Sequence, residues 1–346
     1  MNYTALTQQP TKAQLAQFDR RYPASQTTVG RRKLVTIVLG IVGGFFLIGG
    51  IQSLITALTT DKTLLGGSLF TLFFAIVLLG TILLFAYGVK KQRSISAQIA
   101  LFAEANGFTF AQKVDDPTLT GMYFGVGYRR ALNNVISANR ATPKFQIGNL
   151  QYTLRTGRTE TTFRKGYIRI MLERNLPHIV LDASSNNMKV FGKNITNLPE
   201  DFDTSQRMSL EGDFDTYFTL YAPKEYERDA LYIFTPDLMA LMIDNAKAFD
   251  AEIIDNQLFI YQSQMPFTLT DPALMDRLFK IIEVVGNKAD TQTNFYADEK
   301  VGDRTANEVA AGGRRLRKGV SVITIFVIVI VIAILTAQVV FTILPQ

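Results

Sequence analysis

The chain has 346 residues, no cysteine, a single histidine and a formal net charge of +6 at pH 7. Without cysteine there is no disulfide framework and no thiolate metal site, which fits a reducing compartment, and one histidine excludes any site built on two imidazoles. The basic excess does not by itself point to nucleic acid, because membrane proteins also collect Lys and Arg beside their spans, and here apolar and polar stretches are sharply separated.

In chain order, residues 1–30 read as a polar N-terminal arm. No Asp, Glu, His, Lys or Arg occurs in 34–60, in 63–89 or from Gly319 to the end. Each run exceeds the roughly 20 residues a helix needs to cross a hydrocarbon core about 30 Å thick. They predict three transmembrane helices, at 34–60, 63–89 and 319–344. The last run is rich in β-branched residues, yet in lipid a helix satisfies its own backbone groups. The first is no signal peptide, since about thirty mostly polar residues precede it. Gly40 and Gly44 form a GxxxG in the first span, and Ala333 and Ala337 a small-xxx-small pair in the third, spacings that predict close helix packing. Mid-span polar groups such as Gln52 and Gln338 are uncharged, which argues against a transport path formed by this chain alone.

Basic residues flank the runs: Arg31, Arg32 and Lys33 before the first, Lys90, Lys91 and Arg93 after the second, and Arg314, Arg315, Arg317 and Lys318 before the third. The turn between the first two holds only Asp61 and Lys62. The positive-inside rule then predicts a multi-pass protein of the cell membrane, with the N-terminus and main domain cytoplasmic and the C-terminus extracytoplasmic.

Residues 94–286 predict an α+β cytoplasmic domain, mainly antiparallel sheet with flanking helices. Ser94 and Gly107 bracket a short connecting helix, and Phe108–Phe110 reads as a strand. From Lys144 to Asp182 apolar and polar residues alternate as in strands, with a phase slip at Gly148-Asn149 that predicts a turn or bulge. Phe214–Tyr221 reads as another strand. Thr235-Pro236 and Asp271-Pro272 open two helices, the second stopping at Gly286, and Glu252–Tyr261 between them reads as a hairpin turning near Asp255-Asn256. Residues 287–318 are poor in large apolar groups and predict a mobile, polar, basic-ended linker.

The stretch FDTYFTLYAPKEYERDALYIFTPDLMALMIDN, followed by AEIIDNQLFIY, resembles a bacterial family of membrane proteins classed as a domain of unknown function, number thirty-one thirty-seven. The shared features are the aromatic strand, the acidic, helix-like ERDA segment, the TP-initiated helix and the hairpin expected after it, and the likeness covers roughly residues 95–285. The resemblance implies paired N-terminal spans before a cytosolic domain and no catalytic residue; the third span departs from it.

Residues 129–174 carry ten basic side chains against Glu160 and Glu173, a net of +8, while the chain from Asp182 to Glu308 is acidic. Arg129, Arg130, Arg155, Arg158, Arg164 and Lys165 are the candidates for a face turned to anionic lipid or to a partner, against the plainer reading of solvated strands and loops. Gly125-Val126-Gly127 is too short for a dinucleotide loop, and His178, beside Pro177, reads as an ordinary surface or cap residue. The acidic residues Glu200, Asp201, Asp203, Glu211, Asp213 and Asp215 lack EF-hand spacing and read as loop solvation.

The sequence therefore predicts no catalytic residue, metal or cofactor. The expectation is a non-enzymatic, membrane-anchored scaffold, sensor or accessory subunit, with the bilayer and a membrane or cytoplasmic protein as partners, nucleic acid disfavoured and self-association open. A membrane-bound hydrolase or transferase using Asp and Glu, and an anionic-lipid-binding module, are the alternatives.

Overall fold

A computed structural model describes residues 1–23, 26–190, 193–303 and 305–319, so the expected third span, with Ala333 and Ala337, lies outside the described residues. The chain forms two compact units, Asn2–Phe102 and the chain from Ala103 onward.

The first unit comprises α1 (Thr4–Thr7), α2 (Lys12–Arg21), α3 (Gln26–Thr59) and α4, which begins at Leu65 and continues to Ala105. Helices α3 and α4 form an antiparallel hairpin, and both are long and apolar enough to cross a membrane. Small residues at seven-residue spacing form the seam. A Cβ on Gly43 would lie 3.1 Å from Leu79, one on Gly50 2.9 Å from Leu72, and Ala57 and Ala75 are fully buried. Ser53 and Ser68 close the seam near the turn with a 2.7 Å hydrogen bond. Gly40 and Gly44 face open space, so the GxxxG is not the packing stripe within this hairpin. The spacing rule found a small-residue face, but the contact falls on glycines spaced by seven, as expected for a near-antiparallel helix pair.

The N-terminal arm is also structured. Thr11 and Gln14 form a reciprocal capping box on α2. Arg93 binds Asp19, Gln98 Nε2 donates to the carbonyls of Leu6 and Gln8 at 3.3 and 2.9 Å, and Tyr3 stacks on Phe102. Ser94 is an interior residue of α4, not an N-cap, because the span helix runs through it without a break.

The second unit is built on β1 (Thr109–Asp115), β2 (Tyr128–Ala138), β3 (Phe145–Thr156) and the 25-residue β4 (Thr159–Ala183). A small ribbon, β5 (Met188–Val190) with β6 (Lys193–Ile195), is followed by β7 (Arg207–Met208), the single turn α5 (Phe214–Tyr217) and β8 (Phe218–Tyr221). Then come α6 (Glu227–Ile233), α7 (Pro236–Ala246), β9 (Asp250–Gln262) and α8 (Pro272–Ile281). The sheet is antiparallel, in order β1-β2-β3-β4-β8-β7, with β9 along the other side of β4. The domain is thus an antiparallel sheet with helices on one face.

Several expectations change in detail. The irregularity near Gly148-Asn149 lies on the neighbouring strand: β3 is continuous, while β2 has an extra residue between Asn133 and Ile136, where Asn134 has φ +52°. The first half of Phe214–Tyr221 is helical. The second helix does not stop at Gly286 but passes through a π turn, Ile282–Gly286, into α9 (Asn287–Thr293). The expected linker is no free tether: α9, the turn α10 (Ala311–Arg314) and the buried Tyr296, Val309 and Leu316 pack it onto the domain. Its few apolar anchors are widely spaced, so average hydropathy hides them.

Candidate functional site

The long pair β4 and β9 is bent at coincident irregularities. Met171 pairs with Gln257 and Leu176 with Asp255, so Leu172–Asn175 bulge from β4 while Asp255 takes φ +53° on β9. A second irregularity, one extra residue on β4, follows between Leu176 and Ile179, where Pro177, with no N–H to give a ladder, is tolerated. Along a straight strand Asp250 and Ser263 would stand roughly 40 Å apart. Instead the Ser263 hydroxyl donates to Asp250, and Tyr261 Oη donates to Glu252 Oε2 at 2.8 Å. The reversal expected near Asp255-Asn256 is therefore real as a bend, but no pairing joins its two halves to make a hairpin.

The bend folds one sheet face onto itself, and that face is lined with polar groups. Its apolar lining is Tyr123, Phe124, Tyr167, Val180, Ile254, Phe259 and Leu316. The opposite face, with Ile179, Leu181, Ile253 and Leu258, meets Leu238, Met242 and Val285 around an apolar cavity of about 10 Å³.

Glu252, 0% exposed, accepts from three donors: Tyr261, the Met122 N–H at 2.7 Å and His178 Nε2 at 2.9 Å. His178 Nδ1 accepts the Leu316 N–H at 3.0 Å, which assigns the ring proton to Nε2. His178 is therefore a buried hub, not the surface or cap residue its place beside Pro177 suggested. Burial, then the Glu252 charge, pushes the Tyr261 hydroxyl well above its ordinary range, so it stays a donor.

A second group adjoins it through the Tyr123 and Tyr261 rings, which meet edge to face at 4.9 Å. Asp250 accepts from the Ala183 N–H, Asn186 and Ser263, and Ser263 Oγ in turn accepts from Tyr123 at 2.9 Å. Lys165 donates to the Ser263 carbonyl and lies 4.6 Å from the centroid of the Tyr123 ring. Burial pushes the Lys165 ammonium down in pKa, opposed by Asp250. The register Leu181 to Ala251 sets Asp182 and Asp250 at adjoining positions across β4 and β9. Burial, then the Asp250 charge, raises the Asp182 carboxyl to about 7, against lowering hydrogen bonds from Asn187 and Thr196. Asp182 is 3% exposed, and among the described residues its Oδ1 has no hydrogen-bond partner. Burial raises the Asp250 carboxyl as well, so two carboxyls against one ammonium leave an excess negative charge that one proton shared by the pair removes. The arrangement can therefore take up and release one proton near neutrality.

Lys165, expected on the exposed basic face, is thus interior: neighbouring strand residues point to opposite faces, so Arg164 is out and Lys165 in. The other candidates stay at the surface. Arg129 pairs with Glu160 at 2.9 Å and Arg130 with Asp116 at 2.8 Å, while Arg164 Nε donates to Gln151 and Arg155 Nε to the Gly157 carbonyl. The flanking cluster before residue 319 is fastened to the domain: Arg315 to Asp255, Lys318 to Glu200, Arg314 Nε to the Val309 carbonyl, and Arg317 reciprocally to Gln206. The acidic loop residues have separate tasks, Asp203 capping Ser205 and Asp215 accepting from Ser209. Among the described residues no three His, Asp or Glu gather as a metal site.

Fold and site together define an α+β domain in a chain with two helices of spanning length. No family model matches the chain, and no curated protein matches it. It is similar to a solved structure, the crystal structure of the mycobacterial trehalose monomycolate transport factor A, TtfA, at 11% identity and a TM-score of 0.37, over 58% of this chain and 95% of that one.

Proposed function

We propose that this chain is a membrane-anchored scaffold, sensor or accessory subunit. In this reading α3 and α4 cross the bilayer as a hairpin, and the α+β domain lies on the cytoplasmic side. The observation that carries the anchor is the outward face of the helix pair. Phe45 is 76% and Leu83 72% exposed, among many large apolar side chains on stretches without Asp, Glu, His, Lys or Arg. In water such a surface far exceeds the few hundred Å² that soluble proteins leave bare. The antiparallel pairing brings Arg31, Arg32 and Lys33 to the same end as Lys90, Lys91 and Arg93, which supports the cytoplasmic placement of that end. A third span at 319–344 and the likeness to the domain-of-unknown-function family belong to the same proposal.

Because the chain has no cysteine, single cysteines report topology cleanly. A cysteine at Thr60 should react with an impermeant maleimide added outside intact cells, and one at Thr159 should not. Reversed labelling, or release of the protein by alkaline carbonate, defeats this reading. The buried Asp182 and Asp250 pair favours a second reading, a carboxylate-dependent hydrolase or transferase. Turnover in a broad substrate screen that Asp182→Asn abolishes would select it.

A further inference from the structure

Beyond Thr153 the β3–β4 hairpin loses β2 as a neighbour, and before Gly166 it lacks β9. Residues 154–164 therefore project as a two-stranded ribbon, exposed from Arg155 to Arg164. Gly157, with φ +61°, takes the first central position of the two-residue turn between the paired Thr156 and Thr159. A free ribbon is marginal in water by itself, and this one is chemically two-sided. One face carries the Tyr152 and Phe163 rings, stacked at 5.6 Å, and Leu154; Phe163 is left 38% exposed. The other carries Arg155 and Arg164, with Arg158 at the tip. Its one acidic residue, Glu160, is already engaged by Arg129. Among the described residues no ion pair forms to Arg155, Arg158 or Arg164, and the exposed threonines Thr156, Thr159, Thr161 and Thr162 supply further hydroxyls.

We infer that this ribbon is a docking arm for the surface of a bilayer rich in anionic phospholipid. Guanidinium groups and threonine hydroxyls match phosphate oxygens, and a half-exposed phenylalanine beside them suits the headgroup boundary, where a nucleic acid or an acidic protein gives no oily layer to enter. The inference rests on the proposed anchoring, which would keep the arm within reach of such a surface at high effective concentration.

The test uses the full chain in nanodiscs of phosphatidylcholine alone or with phosphatidylglycerol, carrying Thr159→Cys labelled with an environment-sensitive fluorophore, and headgroup nitroxide lipids as quencher. Quenching should appear with phosphatidylglycerol, fade at high salt, and weaken about fivefold for each of Arg155→Gln, Arg158→Gln and Arg164→Gln. A chain that resists carbonate extraction yet shows equal quenching in both lipids overturns the docking arm and leaves the anchor standing. A chain that carbonate releases overturns the anchor; quenching by separately added phosphatidylglycerol vesicles then still decides the arm. Charge-dependent binding to DNA or polyglutamate, without any to vesicles, also overturns it. The substituted side chains are exposed, and unchanged melting of each variant confirms that the fold is retained.

Discussion

Asp182 turns a local geometry into a pH dependence of the whole domain. Its folded pKa of about 7 lies above the ordinary aspartate value of about 3.9, so between those limits the folded state holds a proton that the unfolded state has lost. The stability this proton contributes is therefore fully present below about pH 4, is lost as pH rises towards about 7, and is gone above it. The loss should be about 2–4 kcal/mol, and Asp182→Asn should remove most of it. Thermal melts of the detergent-solubilised chain from pH 4.5 to 8.5 check this, and parallel curves for both proteins refute it. His178→Ala should act at every pH. It strips one donor from a fully buried carboxylate and leaves the Leu316 N–H without its acceptor, at about 2–4 kcal/mol together. Amide exchange at Leu316 should accelerate with it; a slow, unaltered amide would show that another group holds the segment. Neither role was legible in the sequence. A lone histidine beside a proline carries no pattern, and its partners lie 74 and 138 positions away.

At the scale of elements, what repeats or caps could be read, and what depends on a single unusual dihedral could not. The helix starting at Asp271-Pro272 is visible because Asp271 accepts from the Ala273 N–H while proline fills the first turn. The bend at Asp255 hides because aspartate in the left-handed region is permitted rather than demanded. Asp255→Val should destabilise by about 1–3 kcal/mol and Asp255→Gly by much less, the remaining loss being the exposed pair with Arg315. Equal losses in urea or heat titrations would show that backbone conformation is not the issue. The helix hairpin offers a cleaner contrast. Ser53→Cys with Ser68→Cys should oxidise readily to a disulfide, since the native oxygens are 2.7 Å apart. Adding Gly50→Leu should suppress that bond and adding Gly40→Leu should not; the reverse would place the seam on the other glycines.

At the scale of the molecule, the apolar runs announced the helix pair, and the alternation from Lys144 to Asp182 announced the sheet. The docking of residues 287–303 and 305–319 is not legible in composition because it depends on a few anchors and many main-chain bonds. The Asp203 N–H donates to the Arg317 carbonyl, the Gly319 N–H to that of Asp201, and Arg174 Nε to that of Tyr296. Composition records none of these. Brief trypsin treatment of the native chain should therefore spare Arg315 and Arg317, where an unstructured tether would be cut first. Rapid cleavage there would contradict the packing.

The same segment fixes a timetable for biosynthesis. The interior made by the bent strands needs Leu316 to complete it, and such contacts between sequence-distant partners form slowly. While a ribosome is still adding the residues before Leu316, the nascent domain must wait with a buried face open. A chain released early should be the form that chaperones and proteases find first.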